Sequence, residues 1–449
     1  MTISPARRSA FEILRRVEKE SAFASVLLAA LDSNMRQDDR SLCHELVLGV
    51  LRRRLWLDRI IEHFGDRRVN KLDFEVRLAL EIGLYQLRFL DRIPASAAVN
   101  ESVNFVRFSR VKSAAGFVNA VLRQATREPD HDPVAAINDP TEKLSIETSH
   151  PRWLIERWVN AFGFDEAAEF ARANNQPAPT AFRLTAKALR EAGSRQRALN
   201  ELQAAGAEVT ASDIAPDSWR VVGGTGVIHK LMAEGLSYLQ DEASQFLAHL
   251  LQVETAHRVL DVTAAPGSKA THIAALAPSA TVIAGDLHPQ RVETMRRLAM
   301  KQGAQLHPLV HDATKPLPFS DQSFDRVLLD APCSGTGTLR RNPEIRYRLQ
   351  PEDIDALSSQ QLSMLENSAR ALRVGGRLIY STCSVEREEN EDVIEAFTRT
   401  HPDFARVNLG GTFSSGIPGS SSLHLRTWPH RDGCDGFFVA CLERKSGSA

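Results

Sequence analysis

Apolar positions recur every three or four residues through the first 127 residues, then give way to short unbroken apolar runs. The first pattern is that of amphipathic helices, the second that of strands buried on both faces. Phe74, Leu78, Ile82, Tyr85 and Phe89 make one apolar face and Leu80, Leu84 and Leu87 a second, which predicts a central helix of a bundle. Another helical stretch carries Arg52, Arg53 and Arg54 and continues through Trp56, Ile60 and Ile61. Pro94 marks a break before a segment from Ala97 to Phe108. No strand pattern occurs in residues 1–127, so this region is expected to be all-helical.

Residues 128–149 hold Pro129, Pro133, Pro140 and several acids with little periodicity, and read as a linker. A small α/β unit is expected next. Pro151 suits the first turn of a helix containing Trp153, Leu154 and Trp158. Ala181–Leu184 and Trp219–Val222 read as strands, and a helix from Ser194 to Ala205 should stop at Gly206. Such a layout suits an RNA-binding sheet and a plain packing domain equally.

From residue 236 onward strand and helix alternate, as in a doubly wound parallel sheet. The expected strands are Arg258–Val262, Thr281–Ala284, Gln305–Val310, Phe324–Leu329, Arg377–Tyr380 and Phe437–Leu442. A helix from Glu352 to Leu372 aligns Ile354, Leu357, Leu362, Leu365, Ala369 and Leu372, and should stop at Gly375-Gly376. The Gly/Ser-rich stretch from Ser414 to Ser422 reads as a loop.

Composition narrows the class. The 449 residues suffice for two or three domains, and the 43% hydrophobic and 25% charged fractions are ordinary for a globular protein. No apolar run reaches the roughly 18–20 residues of a membrane span. The chain from Met1 to Arg8 leads into an amphipathic pattern, not an apolar signal core, which favours a cytoplasmic protein. Its five cysteines include no C-x-x-C pair, so reduced thiols and no metal site are expected. The net charge of -1 hides an asymmetry: residues 1–127 hold 22 Lys and Arg against 15 Asp and Glu, while the remainder nets -8. A basic module on an acidic body suits a polyanion partner, and a solvated helical surface would look the same.

Candidate chemistry sits at the predicted strand ends. Val259-Leu260-Asp261-Val262 runs into Thr263, Ala264, Ala265, Pro266, Gly267, Ser268 and Lys269, a small-residue turn opening a helix. Small residues let backbone N–H groups approach a ligand, and a helix N-terminus favours an anion. The turn has neither the dinucleotide G-x-G-x-x-G nor the phosphate-loop pattern. Asp286 ends the next strand, where an acid can hold ribose hydroxyls, and Asp312 ends the third, where a carboxylate can meet an adenine amine. With Asp330 these acids favour a cofactor that is cationic near its reactive atom, and S-adenosylmethionine, a sulfonium, fits.

Two cysteines follow apolar runs, Cys333 in Asp330-Ala331-Pro332-Cys333 and Cys383 in Ser381-Thr382-Cys383-Ser384. If the two strands are neighbours, both thiols emerge at one sheet edge. Cytosine C5 is a poor nucleophile until a thiolate adds at C6, and a carboxyl at N3 assists that attack. A thiolate, a carboxyl and a sulfonium are therefore needed together, and Cys383, Asp330 and the 261–269 loop could supply them.

The residues 330–337 and 380–384 resemble the two cysteine motifs of RNA cytosine-5 methyltransferases, and 261–269 resembles that family's cofactor loop. The resemblance implies that Cys383 attacks C6, that Cys333 assists product release, and that Asp330 contacts the base. Residues 95–103 and 116–123 are similar to a NusB-like domain, which with 240–244 and 435–440 points to the 16S rRNA (cytosine-5)-methyltransferase B type. It implies an all-helical NusB-like RNA-binding domain over 1–140 and a small α/β, RRM-like linking domain over 141–235. A Rossmann-like class I methyltransferase sheet over 236–445 completes the chain. The implied partner is 16S rRNA before full small-subunit assembly, bound by a monomer. Where the family reads A-A-P-G-G-K-T, this chain has Ser268 and Ala270, so weaker cofactor affinity is the most expected. Arg340, Arg341, Arg346 and Arg348 could bind phosphates and Tyr347 could stack a base. The cysteine motifs do not choose between rRNA and tRNA, and the NusB-like module alone would suit a non-catalytic assembly factor.

Overall fold

The computed structural model describes residues 3–31, 35–409 and 423–446, so the 414–422 stretch lies outside the described residues. The chain forms two compact units, Met1–Pro177 with Leu339–Leu349, and Ala178–Thr338 with Gln350–Ala449.

The first unit is helical throughout its described residues. The helix Phe74–Phe89 is its centre, with Val76 and every residue from Leu78 to Gln86 buried. A Cβ on Gly83 would stand 2.7 Å from Ser102 Oγ and 2.8 Å from Leu122, so only glycine lets the helices Ala95–Arg107 and Ala115–Arg127 pack this closely. The expected linker is partly helical: Asp139 caps Pro140–Thr148 by accepting from the Thr141 and Glu142 amides. A cap and a first-turn proline, not periodicity, set this helix.

Part of the unit's positive charge faces inward. Arg7 is buried against Gln86 and Glu101. Arg54 pairs with Glu18 at 2.7 Å, and Arg52 donates to the Arg340 carbonyl at 2.7 Å.

Residues 339–349 leave the second unit's chain and hook into the first. Arg346 is fully buried, donating to the Thr148 carbonyl at 3.1 Å and to Asn175 Oδ1 at 2.9 Å. Tyr347 donates its hydroxyl to Leu51 O at 2.7 Å, with Arg54 over its ring. Arg348 reaches the carbonyls of Val17 and Ala22 at 2.7 and 2.6 Å. Arg340 is buried and Arg341 half-buried. The segment expected to hold phosphates and stack a base therefore corrects to an internal anchor. Arg346 and Arg348 aim donors at carbonyls of loops and helix ends, which lack helical partners, and Tyr347 adds a bond to the Leu51 carbonyl inside the helix Gln37–Gly65.

The second unit holds two sheets. Strands β1 (Thr180–Leu184), β2 (Glu208–Ala211), β3 (Ser218–Val222) and β4 (Ser237–Leu239) form an antiparallel sheet in the order β2-β3-β1-β4. Phe182, Leu184, Trp219 and Val221 pack on Leu202, Ile228 and Leu231 of its helices. Gly206 sits at φ 75 just past the helix Ser194–Ala204. The expected 141–235 domain falls across the division: its helices up to Ala173 lie in the first unit, those from Ala186 onward lie with the small sheet in the second, and β4 carries that sheet past residue 235.

The large sheet contains β5 (Arg258–Asp261), β6 (Thr281–Asp286), β7 (His307–Val310), β8 (Phe324–Asp330), β9 (Leu372–Thr382), β10 (Phe404–Arg406), β11 (Leu425–Thr427) and β12 (Phe437–Arg444). Its order is β10-β12-β9-β8-β5-β6-β7, with β11 on β12. Strands β5 to β9 are parallel to their neighbours, and β12 runs antiparallel to β9. Alternate residues serve opposite cores: Val259, Leu328 and Ile379 face one, while Leu260, Val327, Leu329, Leu378 and Tyr380 face the other. That is why these strands read as continuous apolar runs. The helix Pro351–Ala371 ends earlier than Gly375-Gly376, which lie inside β9. Gly375, at φ 73, accommodates the register slip opposite Phe324–Arg326.

Candidate active site

The chain runs outward from β5 through β6 to β7, then restarts at β8 on the other side of β5. The reversal between β5 and β8 opens a crevice at the carboxyl ends of the strands, where open α/β sheets bind ligands. Every chemically marked residue of the second unit lies at this edge.

The loop after β5 is tightly built. Ala264 donates to Gly285 O and Gly267 to Ala264 O, both at 2.7 Å. Gly267 sits at φ 106, and a Cβ there would meet Met295 at 2.8 Å, so both conformation and space require glycine. Ser268 opens the helix Ser268–Leu276 with helical backbone and is not among the positive-φ residues. It therefore replaces a glycine without strain. Ala270 is fully buried in that helix.

The acids differ in environment. Asp261 is fully buried and neither carboxylate oxygen has a well-formed hydrogen bond. Burial raises its pKa to about 7, against the pull of Lys269 and the Thr263 amide and with a further push from Asp330. Asp286 is buried, accepts from the His288 amide at 3.0 Å and lies 3.3 Å from Arg291. Asp312, half-exposed, accepts from the Thr314 hydroxyl and amide, which hold its pKa down. These groups suit a ligand with a cationic end and hydroxyls: an unpartnered buried carboxylate beside a small-residue turn, with further acids at the ends of β6 and β7. Thr263 to Lys269, Asp286 and Asp312 are thus brought to one edge, as S-adenosylmethionine would require.

Asp330 ends β8. Its Oδ2 lies 2.6 Å from Lys269 Nζ and its Oδ1 accepts from Ser381 Oγ at 2.9 Å. Thr263 Oγ1 donates to the Asp330 carbonyl at 2.7 Å. Burial opposes the charge of Lys269, but Asp330, Asp261 and Cys383 outweigh it and raise its pKa.

The thiols of Cys333 and Cys383 stand 3.1 Å apart, and neither is in a disulfide. Strand pairing explains this: Asp330 of β8 is opposite Ser381 of β9, and each cysteine lies just beyond. The Cys383 amide donates to Cys333 Sγ at 3.3 Å. Gly337 donates to the Cys383 carbonyl at 2.9 Å, and Gly436 to the Gly337 carbonyl at 2.8 Å. A Cβ on Gly337 would fall 2.1 Å from Gly436 O, so three backbone segments cross there. The Cys333 thiol is held well above the ordinary range by its bond to Cys383, by burial, and by the carboxylates of Glu389 and Asp330.

Several residues of the site carry no sequence signal of their own. Arg183, on β1, is buried and donates to Ser268 O and Thr271 Oγ1, each at 2.9 Å, tying the small sheet to the cofactor helix. Glu389 is fully buried, inside the acidic run 386–392.

Relatives of known identity share this layout. The family described as 16S rRNA methyltransferase RsmB/F matches residues 248–443. The NusB family matches 4–127, and the ferredoxin-like domain of the RsmF/B-like methyltransferases matches 150–228. A probable ribosomal RNA small subunit methyltransferase B of Bacillus subtilis (strain 168) is 36% identical, with 100% of both chains covered. The chain belongs to the RsmB/F family of 16S rRNA methyltransferases. The ribosomal RNA small subunit methyltransferase B of Yersinia pestis bv. Antiqua (strain Angola) is 33% identical over 98% of each chain. The crystal structure of PH0851 superimposes with a TM-score of 0.82 at 29% identity, covering 99% of this chain and 100% of that one. The RsmB/F assignment carries S-adenosylmethionine-dependent rRNA methylation with it. It also fits the NusB-like, ferredoxin-like and methyltransferase order of the fold. Among the described residues no helix is long and apolar enough to cross a membrane.

Proposed function

We propose that this RsmB/F chain methylates C5 of a cytosine in 16S rRNA through a covalent bond from Cys383 to C6. The observation that carries the reading is the pair of free thiols 3.1 Å apart at the ends of β8 and β9, beside the Lys269–Asp330 pair. Cys383 adds as a thiolate to C6, and the ring electrons displaced make C5 nucleophilic. Asp330 contacts the base at its edge, and a proton delivered to N3 through its carboxyl group neutralises the charge that develops there. S-adenosylmethionine, held by residues 263–269, Asp286 and Asp312, supplies the methyl group as an electrophilic sulfonium. A base then takes the C5 proton, and its bonding pair restores the C5–C6 double bond. The C6–sulfur bond breaks and its pair returns to Cys383. Cys333, at its side, assists this release.

The electrostatics support this division between the thiols. The hydrogen bond to Cys383 and burial, with the carboxylates of Glu389 and Asp330, hold the Cys333 thiol above its ordinary range. A thiol that keeps its proton suits the assistant in release, not the attacker. A paired cytosine is out of reach, so the target must be unpaired or flipped. The chain is further proposed to act as a cytoplasmic monomer on rRNA before small-subunit assembly is complete.

The test is transfer of labelled methyl from S-adenosylmethionine to deproteinised 16S rRNA, with position-specific mapping of 5-methylcytosine. Cys383→Ala should lower turnover by at least about 10³-fold, the loss of a covalent nucleophile. Cys333→Ala should accumulate a denaturant-resistant protein–RNA band. Full activity of the first variant, or methylation at an atom other than C5, would refute the mechanism.

A further inference from the structure

One carboxylate bridges the two cysteine turns. Glu389 closes the turn Arg387–Glu389 and is fully buried. Its Oε1 accepts from the Ser334 amide at 2.8 Å and from Gln361 Nε2 at 2.9 Å. Its Oε2 accepts from the hydroxyls of Ser334 and Ser384. Ser334 follows Cys333, and Ser384 follows Cys383. The same Gln361 amide donates to the Pro332 carbonyl at 2.9 Å, and Tyr380 on β9 donates to the Glu389 carbonyl at 2.6 Å. All four side-chain partners are neutral donors. A carboxylate, which only accepts, satisfies them together, whereas an amide would turn a donor toward one of them.

The two turns depend on this bracket unequally. Cys383 directly follows a paired strand: Thr382 is in register with Phe438, its hydroxyl bonds Asn390 at 2.5 Å, and Gly337 grips the Cys383 carbonyl. The Cys333 turn follows the end of β8, and past Ala331 it is held chiefly by Gln361 and Glu389, with the Ser384 hydroxyl and the Cys383 amide at 3.0 and 3.3 Å beside them.

We infer that Glu389 is a positioning residue that holds the Cys333 turn against Cys383, so that release of the methylated base depends on it more than attack does. This rests on the covalent reading above. Without the bracket, Cys383 keeps its strand anchor and can still form the C6–sulfur bond. Cys333 is no longer fixed beside that bond, and its breakage slows.

The experiment uses the full chain, deproteinised 16S rRNA and labelled S-adenosylmethionine, with single-turnover and steady-state rates measured separately. Glu389→Gln should keep single-turnover methyl transfer within a few-fold while steady-state turnover falls at least ten-fold. A denaturant-resistant RNA adduct should accumulate, as in Cys333→Ala. Equal loss in both regimes, or no loss in either, would overturn the inference. Should Glu389→Gln not fold, Ser334→Ala removes one of the four bonds, that of the Ser334 hydroxyl, and should show the same split in weaker form; no split there overturns it. Cys333→Ala is the control that separates the two proposals. If it traps no adduct, the covalent reading itself fails; if it traps one and Glu389→Gln does not, only the role of Glu389 fails.

Discussion

The arginine-rich segment 340–348 and the acid-bearing crevice edge at 261–330 are both charged and largely buried, yet they place their charge in opposite ways. In the segment, Arg346, Tyr347 and Arg348 direct donors to carbonyls of their own chain. At the crevice, Asp261 keeps both oxygens without a well-formed partner, and Asp286 lies at a strand end with one amide and one distant guanidinium. A buried polar group left without a partner costs about 1–3 kcal/mol. A fold can hold such a group where a ligand gains from it; in the segment, Arg346 Nε and Glu344 Oε2 are buried without a partner but belong to side chains whose other polar atoms are bonded. The difference teaches that charge alone does not mark a binding surface; what the charge faces does.

The hardest test of that comparison is Arg346→Ala. Removing the guanidinium strips Asn175 Oδ1 of this donor and leaves the Thr148 carbonyl with the Asn175 amide alone, and the loss should be about 3 kcal/mol or more. Urea unfolding should show the first unit destabilised, with S-adenosylmethionine affinity unchanged. Weaker RNA binding at an unaltered unfolding midpoint would instead make the segment a phosphate contact and dissolve the contrast.

A second test acts on the other side. The folded pKa of Asp261, about 7, lies above the unfolded value of about 3.9. A raised carboxyl pKa means that folding favours the protonated form. Its contribution is fully present below about pH 4, is lost as pH rises toward 7, and stays lost above. Asp261→Asn removes the charge and should stabilise the ligand-free chain at pH 8 by on the order of 2 kcal/mol, and much less at pH 4. Cofactor affinity should fall in the same variant. A stability difference that does not grow with pH would show that Asp261 carries no unfavourable buried charge.

Legibility in the sequence followed the same line. The two cysteine motifs, the 263–269 turn and the acids at 286, 312 and 330 could be read because each sits at a fixed place beside a strand, where geometry leaves few alternatives. The parallel strands could be read because burial on both faces makes them continuously apolar. Arg340 to Arg348 could not be read, because whether a guanidinium meets phosphate or carbonyl depends on residues 198 to 326 positions away in the chain. Glu389 was hidden among neighbouring acids, and the acids flanking it say nothing of which one turns inward. Short strands such as β10 and β11 are three residues each, too few to show a period. The helix Pro140–Thr148 rests on its Asp139 cap, not on an apolar stripe.

The finest test concerns Asp286, where the two ways of placing charge come closest to each other. Its carboxylate has an internal use, since it accepts from the His288 amide and draws in Arg291. By that measure alone it resembles Arg346. It differs in lying at the carboxyl end of β6, one strand from the β5 turn, where hydroxyls of a nucleoside would reach it. If it binds ribose, Asp286→Ala should weaken S-adenosylmethionine about ten-fold by calorimetry, about 1.4 kcal/mol, the scale of a charged hydrogen bond. Affinity for free methionine, which has no ribose, should not change further. If the carboxylate only braces the turn before the helix Pro289–Gln302, unfolding shifts while cofactor affinity holds. That outcome would move Asp286 to the anchoring side and leave Asp261 as the acid that marks the crevice.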